Sequence, residues 1–312
     1  MSAEVARGLD EVATTPSAVT IGVFDGVHRG HRTIIGRAVR AGRERGLRSV
    51  AVTFDPHPMA VVRPDAMPPL LQPVDERVSL LAETGVDLVL VLPFTKELSQ
   101  LEPDAFVERV LAGSLAAGKV VVGTNFRFGH LAAGDVVTLA DLGSAHGYDA
   151  EAVSLLELDG HPISSTQVRQ HLEAGDVEWA TEALGRPWSY TGEVVRGDGR
   201  GRTIGVPTAN VVAPEGVLRP GNGVYAVHVE SGDEAWDAVV NVGTRPTFDG
   251  TTTTVEAHLL GTDNDPATLD LYGRRLRITF LTRLRDERRF SGPDELVAQI
   301  HADIDSAQNH FA

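Results

Sequence analysis

The chain has 312 residues, with 28 Lys and Arg against 43 Asp and Glu, which gives a net charge of −15 when His is neutral. Its 42% hydrophobic content is that of a folded protein and excludes a disordered or collagen-like chain. At about 100 to 200 residues per domain, this length predicts two domains, each large enough to bury its own core, with a single domain as the alternative. The chain has no Cys, which excludes disulfide bonds, thiolate zinc sites and thiol nucleophiles.

Hydropathy, cysteine content and net charge together indicate where the protein acts and which partners it can bind. No stretch approaches the roughly 18 continuous apolar residues of a membrane helix, and residues 1–5 lack a basic-then-apolar signal pattern. The absence of Cys fits a reducing compartment, so we expect a cytoplasmic protein without membrane association. The negative charge repels polyphosphate at long range, so we expect no nucleic-acid partner, whereas a local basic pocket can still hold a small phosphorylated ligand.

The first half of the chain alternates short apolar runs with segments of helical periodicity. This rhythm predicts βαβ units and a doubly wound parallel sheet with helices on both faces. The predicted strands are 19–23, 49–54, 87–92 and 119–123, and the predicted helices between them are 32–45, 75–84 and 103–111.

The second half has a different texture. Helices are predicted at 165–173 and 176–184, and the Gly-Arg-Pro stretch that follows places a domain boundary between residues 186 and 187. Short alternating segments then predict an antiparallel β-barrel, with strands at 189–195, 223–229, 235–242, 253–260 and 275–281. A last helix, 293–307, has one apolar face for packing on the barrel, formed by Leu296, Val297, Ile300 and Ile304.

The first candidate site is the sequence G-V-F-D-G-V-H-R-G-H at residues 22–31, between the first strand and the first helix. Backbone N–H groups at a helix start bind phosphate, and glycines allow close approach. His28 and His31, spaced H-x-G-H, add donors that carry charge when protonated. The alternative is a glycine-rich turn with two surface histidines.

Other motifs are expected at the same edge of the sheet, because ligands bind at the carboxyl ends of parallel strands. T-F-D-P-H-P at residues 53–58 follows the second strand, and G-T-N-F-R-F-G at residues 123–129 follows the fourth. I-S-S-T at residues 163–166 precedes a predicted helix that contains Arg169. Taken alone, Ser-Ser-Thr is a common helix cap, a Phe after a strand is more often core, and His57 between two prolines fits a rigid turn.

The second candidate site is G-D-G-R-G-R-T-I-G-V-P-T-A-N at residues 197–210. Closely spaced glycines let backbone amides wrap anionic oxygens, and the arginines add charge, so the segment is a candidate phosphate clasp. The alternative is an ordinary glycine-rich loop. Three further polar motifs follow. They lie at residues 241–248, at residues 255–258 around Glu256, and at residues 285–290, the last of which begins with Arg285.

Together these segments resemble a known family. The H-x-G-H motif is similar to that of the nucleotidylyltransferase superfamily, and the whole set resembles the prokaryotic bifunctional riboflavin kinases and FMN adenylyltransferases, also called FAD synthetases. The resemblance implies a nucleotidylyltransferase domain over residues 1–186 and a riboflavin kinase domain over residues 187–312. It implies riboflavin, FMN and ATP as substrates and Mg²⁺ as the cofactor. The oligomeric state stays open, a homo-oligomer included.

For adenylyl transfer, the resemblance implies a site that needs no strong base, because the attacking phosphate of FMN is already ionised. His28 and His31 are the implied catalytic residues, acting on the α-phosphate of ATP. The implied nucleotide-binding residues are Gly22, Phe24, Asp25, Gly30, Ser164, Ser165, Thr166 and Arg169. The implied flavin-binding residues are Asn125, Arg127, Phe54, His57 and Phe128.

For the kinase, the resemblance implies Glu256 as the base that deprotonates the riboflavin 5′-hydroxyl, with Thr208 and Asn210 holding Mg²⁺. Gly199, Arg202 and Gly205 are the implied nucleotide-binding residues, and Arg285 is the implied flavin contact. The alternatives are an outward strand residue for Glu256 and a solvated loop residue for Arg285. Two positions depart from the family pattern, Gln167 where a basic residue is usual and Val206 where Phe is frequent. Two alternatives stay open, a chain with one activity and a flavin- or nucleotide-binding regulator without turnover.

Overall fold

The computed structural model describes residues 3–197, 199–247, 250–261 and 268–311. Two residues of the predicted motifs, Asp198 and Phe248, lie outside these ranges. The chain separates into two compact units, Met1–Ser165 and Thr166–Ala312. Within the described ranges, no helix combines the length and apolar character that crossing a membrane requires.

A parallel sheet forms the centre of the first unit. Its strand order is β1-β4-β3-β2-β5-β6, and every neighbouring pair is parallel. The strands are β1 (Glu4–Ala6), β2 (Ser17–Ile21), β3 (Arg48–Asp55), β4 (Leu88–Pro93), β5 (Ala117–Gly123) and β6 (Asp149–Val153). The four predicted strands are confirmed as β2 to β5.

Alternate residues of these strands pack into two apolar layers, one on each face of the sheet. On one face, Val50 and Val52 belong to the same buried cluster as Phe106. On the other face, Ala51 belongs to a cluster with Ile35 and Leu81. Both faces of the sheet are therefore covered, which is why its strands are continuously apolar, and the doubly wound prediction is confirmed.

Helices and one π-helical segment cover the sheet. They are α1 (Arg29–Arg45), α2 (Pro58–Val62), α3 (Val74–Ala82), α4 (Lys96–Ser99), α5 (Pro103–Phe106), the π-helical Val107–Ser114 and α6 (Val136–His146). The helix predicted at 103–111 is therefore α5 continued by the π-helical segment. A short hairpin, β7 (Glu157–Leu158) with β8 (His161–Pro162), precedes the end of the unit.

The strand order contains a topological switch point. From β2 the chain proceeds outward through β3 and β4, then returns to the other side of β2 to form β5. In such sheets a crevice opens at the carboxyl ends of the two strands that flank the switch. Those ends are Ile21 and Gly123, and each is followed by a predicted motif.

The second unit is a closed antiparallel barrel, and this prediction is also confirmed. The strand order is β10-β13-β12-β11-β14-β9, closed by pairing of β9 with β10. Four large aromatic side chains, Trp188, Tyr190, Tyr225 and Phe280, are buried and pack on one another. The elements are α7 (Ser165–Ala174), α8 (Val177–Leu184), β9 (Trp188–Val195), α9 (Arg200–Thr203), β10 (Ala209–Val212), β11 (Gly223–Ser231), β12 (Glu234–Thr247), β13 (Gly250–Leu259), β14 (Arg275–Arg285) and α10 (Pro293–Phe311).

Some elements of this unit differ from the sequence prediction. β10 is a strand that the alternation pattern misses, because it has only four residues and follows Pro207. Helix α10 is confirmed, and Ile304 and Ala307 pack with Val224 and Val239 of the barrel. Helices α7 and α8 group with the barrel, apart from Ser165, which ends the first unit. The functional boundary at residue 186 stays a prediction.

Candidate active sites

The loop after β2 has an unusual backbone conformation that shapes the start of α1. Phe24 has φ of 54°, Gly26 of 88° and Val27 of 40°, so three of four consecutive residues are left-handed. Strain of this kind in non-glycine residues is found at functional sites. The loop ends at His28, which caps α1 by accepting the backbone N–H of His31 at Nδ1, at 3.2 Å.

The two histidine rings lie against each other at this helix start. Their centroids are 3.5 Å apart at an interplanar angle of 18°, and Phe24 meets His31 edge-on at 5.2 Å. His28 is only 4% exposed. Burial, followed by repulsion from His28, lowers the pKa of His31 well below its ordinary value. Within the described residues, His31 Nδ1 is buried without a hydrogen-bond partner, so the pair forms a compact imidazole surface at the helix N-terminus.

Asp25 fixes the conformation of the loop through its backbone and side chain. Its carboxylate is 2% exposed and accepts the backbone N–H of Leu71 with both oxygens at 3.1 Å. Its carbonyl oxygen accepts the hydroxyl of Ser165 at 2.7 Å. Gly26 N–H donates to Gln72 Oε1 at 2.9 Å. Asp25 therefore stabilises the turn. Its carbonyl oxygen also holds Ser165, the first residue of α7, against the loop.

The other predicted phosphate-binding residues are near the start of α7. Ser164 is half-buried and precedes the helix, Thr166 is exposed, and Arg169 is buried one turn further. Thr166 and Arg169 belong to the second compact unit. Gly30 lies closer to the histidines, because a Cβ there would approach the His28 ring to 3.1 Å.

A cleft of about 870 Å³ opens at the switch point of the first unit. The structure brings five of the predicted residues to its walls: Gly22, Phe54, Asn125, Arg127 and Phe128. Several apolar residues that the sequence interpretation did not select also line it, including Met59, Val62 and Leu131. Periodicity could not identify them, since they lie on short elements and loops.

Aromatic residues that line the cleft also pack into the hydrophobic core. Phe128 stacks on Phe126 with centroids 5.5 Å apart, and Phe54 meets Phe94 edge-on at 5.4 Å. His57 caps α2 by accepting the Met59 N–H at 3.0 Å, so it holds the helix that lines the cleft. Arg127 is exposed and pairs with Asp135 at 3.4 Å, a weak surface contact that leaves its guanidinium available to an anion.

The second candidate site is built on a glycine-rich loop, residues 199–207, which we call the clasp loop. Gly199 and Gly205 have φ of 68° and 78°, a conformation that favours glycine. A Cβ on Gly201 would collide with the carbonyl oxygen of Val206, so the loop folds tightly back on itself. Arg202 is exposed on this loop.

Glu256 lies at the centre of a row of polar residues across three strands. In β13 it is in register with Asn210 of β10 on one side and with Asn241 of β12 on the other. Its Oε2 is 3.5 Å from the hydroxyl of Thr208, at the outer limit of a hydrogen bond. Glu256 faces a cavity of about 310 Å³ that Thr208 and Asn241 also line. It is therefore not an outward strand residue.

Arg285 lines the same cavity and is held firmly. Its guanidinium makes a bidentate ion pair with Asp303 of α10, at 2.8 and 2.7 Å, and Asp303 is 5% exposed. Arg285 is thus not a solvated loop residue. The sequence interpretation missed Asp303 and also did not select His258, a cavity residue inside the motif it quoted.

His258 has a buried environment of its own. It is 8% exposed, and its Nδ1 is 2.9 Å from the carbonyl oxygen of Pro207. Burial lowers the pKa of His258, while the hydrogen bond to Pro207 opposes this effect and His301 reinforces it. The ring is therefore neutral near pH 7.

The donor set of the barrel cavity suits a hard cation. Thr208 and Glu256, which line the cavity, offer hydroxyl and carboxylate oxygens. Asn210 offers an amide oxygen and is in register with Glu256, but it is not among the residues that line the cavity. Mg²⁺ is held in proteins by few such ligands together with phosphates and water. In the described part of the chain, no group of three or more His, Cys, Asp and Glu residues forms a ready metal cage.

Comparison with known proteins agrees with both halves of the fold. A family model described as FAD synthetase matches residues 10–167, and one described as riboflavin kinase matches residues 184–311. A crystal structure described as a macrolide-efflux protein from Streptococcus pneumoniae has a TM-score of 0.86 to this chain at 30% identity, with 99% of each chain covered.

Three relatives are each named bifunctional riboflavin kinase/FMN adenylyltransferase. The protein of Escherichia coli (strain K12) is 38% identical, with 98% of this chain and 97% of that protein covered. The Pseudomonas fluorescens protein is 39% identical, covering 93% and 91%, and the Bacillus subtilis (strain 168) protein is 34% identical, covering 95% and 93%. Because both models match in chain order and these relatives align over nearly the whole length, the chain belongs to the family of bifunctional riboflavin kinases and FMN adenylyltransferases.

Proposed function

We propose that the two units catalyse successive steps. The barrel transfers the γ-phosphate of ATP to riboflavin and gives FMN and ADP. The first unit then transfers the adenylyl group of a second ATP to FMN and gives FAD and pyrophosphate. The observation that carries the proposal is that each unit has a site whose chemistry suits one step, an imidazole pair at a helix start in one and a carboxylate beside Thr208 in the other.

In the kinase step the nucleophile is a neutral alcohol, so a base is required. Glu256 takes the proton of the riboflavin 5′-hydroxyl as that oxygen bonds to the γ-phosphorus, and the bond from phosphorus to the ADP oxygen breaks. The backbone of the clasp loop and the Arg202 side chain bind the phosphates. Thr208 and Asn210 would hold Mg²⁺, which when bound would neutralise part of the phosphate charge.

In the adenylyl step the nucleophile is an ionised phosphate oxygen of FMN, so no base is required. That oxygen bonds to the α-phosphorus of ATP while the bond to pyrophosphate breaks. His28 caps α1 through Nδ1, so a neutral His28 ring carries its proton on Nε2 and donates from there. His28 and His31 stabilise the growing charge on the α-phosphate, together with the N-terminus of α1.

The cleft of the first unit provides a place for FMN. Asn125 and Arg127 bind its phosphate end, and the apolar and aromatic walls, including Phe54 and Phe128, accept the isoalloxazine ring. Ser164 and Ser165, at the end of the first unit, bind the phosphates that leave as pyrophosphate.

A product assay tests the proposal. Purified protein is incubated with Mg²⁺-ATP and either riboflavin or FMN, and the flavins are separated by chromatography. We expect riboflavin to give FMN and then FAD, and FMN to give FAD with pyrophosphate release. Conversion of riboflavin to FMN only, with added FMN unchanged, would leave a kinase alone. Flavin binding without any product would indicate a regulator.

A further inference from the structure

The kinase mechanism gives His258 no task, although the residue is buried in the wall of the kinase cavity. Its Nδ1 is 2.9 Å from the carbonyl oxygen of Pro207. A carbonyl oxygen can only accept, so Nδ1 must carry a proton and donate it. The hydrogen bond joins β13 to the last residue of the clasp loop.

Pro207 lies where the pairing of β10 with β13 stops. The two strands pair at Ala209 with Ala257 and at Asn210 with Glu256, and the ladder goes no further toward the clasp loop. Proline has no N–H to extend a ladder. The side chain of His258 supplies the next connection between the two segments in place of a backbone hydrogen bond.

This connection lies next to the reacting groups of the kinase. Thr208 follows Pro207 directly, and its hydroxyl is 3.5 Å from Glu256 Oε2. Glu256 precedes His258 by two residues on the same strand, so both face one side of the sheet. On the other side of Pro207, the clasp loop is closed on itself, with the Val206 N–H donating to the carbonyl oxygen of Gly201 at 2.9 Å.

We propose that His258 is a positioning residue for phosphoryl transfer: its Nδ1–H holds the Pro207 carbonyl and thereby sets the placement of Thr208 against Glu256. The inference rests on the kinase function proposed for the barrel. Small displacements of such groups lower rates strongly, with about 1 Å worth on the order of 100-fold. Because Thr208 is the proposed Mg²⁺ ligand, the loss should appear in kcat and in the Mg²⁺-ATP requirement more than in riboflavin binding.

The test uses the full-length protein and two amide variants that separate the ring nitrogens. His258→Asn places an N–H donor near the position of Nδ1, and His258→Gln places one near the position of Nε2. His258→Ala removes both. His228→Ala is the matched control, since His228 is an exposed barrel residue paired with Asp237 at 2.6 Å outside the kinase cavity.

We expect His258→Ala and His258→Gln to lower the kinase kcat by roughly 10- to 100-fold and to raise KM for Mg²⁺-ATP. KM for riboflavin should change less than about twofold, and His258→Asn should recover activity to within about threefold of the wild type. If His258→Gln rather than His258→Asn recovered kinase activity, the proposal would be overturned, because the important contact would then be made by Nε2 toward the cavity and not by Nδ1 toward Pro207. Unchanged kinetics in His258→Ala would overturn it as well.

Two further measurements keep the outcome interpretable. All three Trp residues, Trp179, Trp188 and Trp236, lie in the second unit, so Trp fluorescence during thermal unfolding reports whether the barrel of each variant is folded. If wild-type protein forms no FMN from riboflavin, the proposed kinase function fails. If the wild type is active and the variants do not follow the Asn-against-Gln pattern, only the inference about His258 fails.

Discussion

His28 and His31 lie on one helical turn, yet their ring nitrogens have different surroundings. Nδ1 of His28 is occupied by the His31 N–H, whereas Nδ1 of His31 has no partner among the residues that the structure describes. Burial and the neighbouring ring hold the pKa of His31 well below its usual value. In the ligand-free protein His31 is therefore neutral near pH 7, and the arrival of an anion is what would favour its charged form.

We predict that ATP binding is coupled to protonation of His31. The free ring has a lowered pKa, and the polyphosphate raises it, so between the free and bound values binding takes up a proton. ATP affinity should consequently increase as pH falls through that window. NMR titration of the His31 ring, assigned with His31→Gln, should give a midpoint below that of an ordinary histidine, and a non-hydrolysable ATP analogue should raise it. A midpoint that the analogue does not move would contradict the prediction.

At the scale of elements, a buried arginine of α3 ties two strands to the first site. Arg77 is 2% exposed and donates to the carbonyl oxygen of Val23, after β2, at 3.1 Å and to that of Phe54, in β3, at 2.7 Å. Burial lowers the pKa of Arg77, and Asp25 and Asp55 oppose this effect. One guanidinium thus fixes the loop that leads to His28 and the strand that carries Phe54.

We expect Arg77→Met to lower FAD formation from FMN by about 10- to 100-fold, since two buried carbonyl groups lose their donor and the loops shift. Arg77→Lys should recover only part of the rate, because one ammonium cannot reproduce the planar fork. FMN formation by the same samples should be unchanged. Arg45→Met, which breaks an exposed pair with Asp149, should affect neither step; a similar loss in both activities of Arg77→Met would refute the assignment.

The elements also show how far the sequence could be interpreted. The strands β2 to β5 were predictable because each is an apolar run that both sheet faces bury, and α1 because its apolar period ends at Gly46. The short β10 and α2 carry too few residues for a period to appear. The contacts of Arg77 and His258 were not predictable either, because each joins positions far apart in the chain.

For the site, residue types and motif order were enough to predict the two sets of chemical groups. The structure adds that Glu256 faces a cavity and that Arg285 is paired with Asp303. Neither fact follows from alternation along one strand, since both depend on how α10 and the neighbouring strands close the barrel. The catalytic and binding roles themselves remain predictions.

At the scale of the whole molecule, helices α7 and α8 belong with the barrel by their contacts. Glu178 Oε1 accepts the hydroxyl of Thr282 at 2.5 Å and the N–H of Arg283 at 3.0 Å. Gly221 N–H donates to the carbonyl oxygen of Leu172 at 2.8 Å. The smallest stable kinase unit should then begin near residue 166 rather than at 187.

We predict that a chain of residues 166–312 is folded and makes FMN from riboflavin, whereas residues 187–312 unfold at a lower temperature. The shorter chain leaves the carbonyl and N–H partners of α7 and α8 unpaired and exposes the apolar surface they cover. Thermal unfolding, followed by circular dichroism because the longer chain has the additional Trp179, compares the two chains. Equal midpoints would show that α7 and α8 contribute nothing to the barrel and would support the boundary at 186.

The central claim is that two phosphorus-transfer centres work separately in one polypeptide. The most direct measurement compares both reactions in two variants, Glu256→Gln and the double variant His28→Asn with His31→Gln, in which Asn keeps a capping oxygen for α1. We expect Glu256→Gln to lower FMN formation by on the order of 100- to 10,000-fold while FAD formation from FMN stays at the wild-type rate. The double variant should do the reverse. An equal loss of both reactions in either variant would contradict the account.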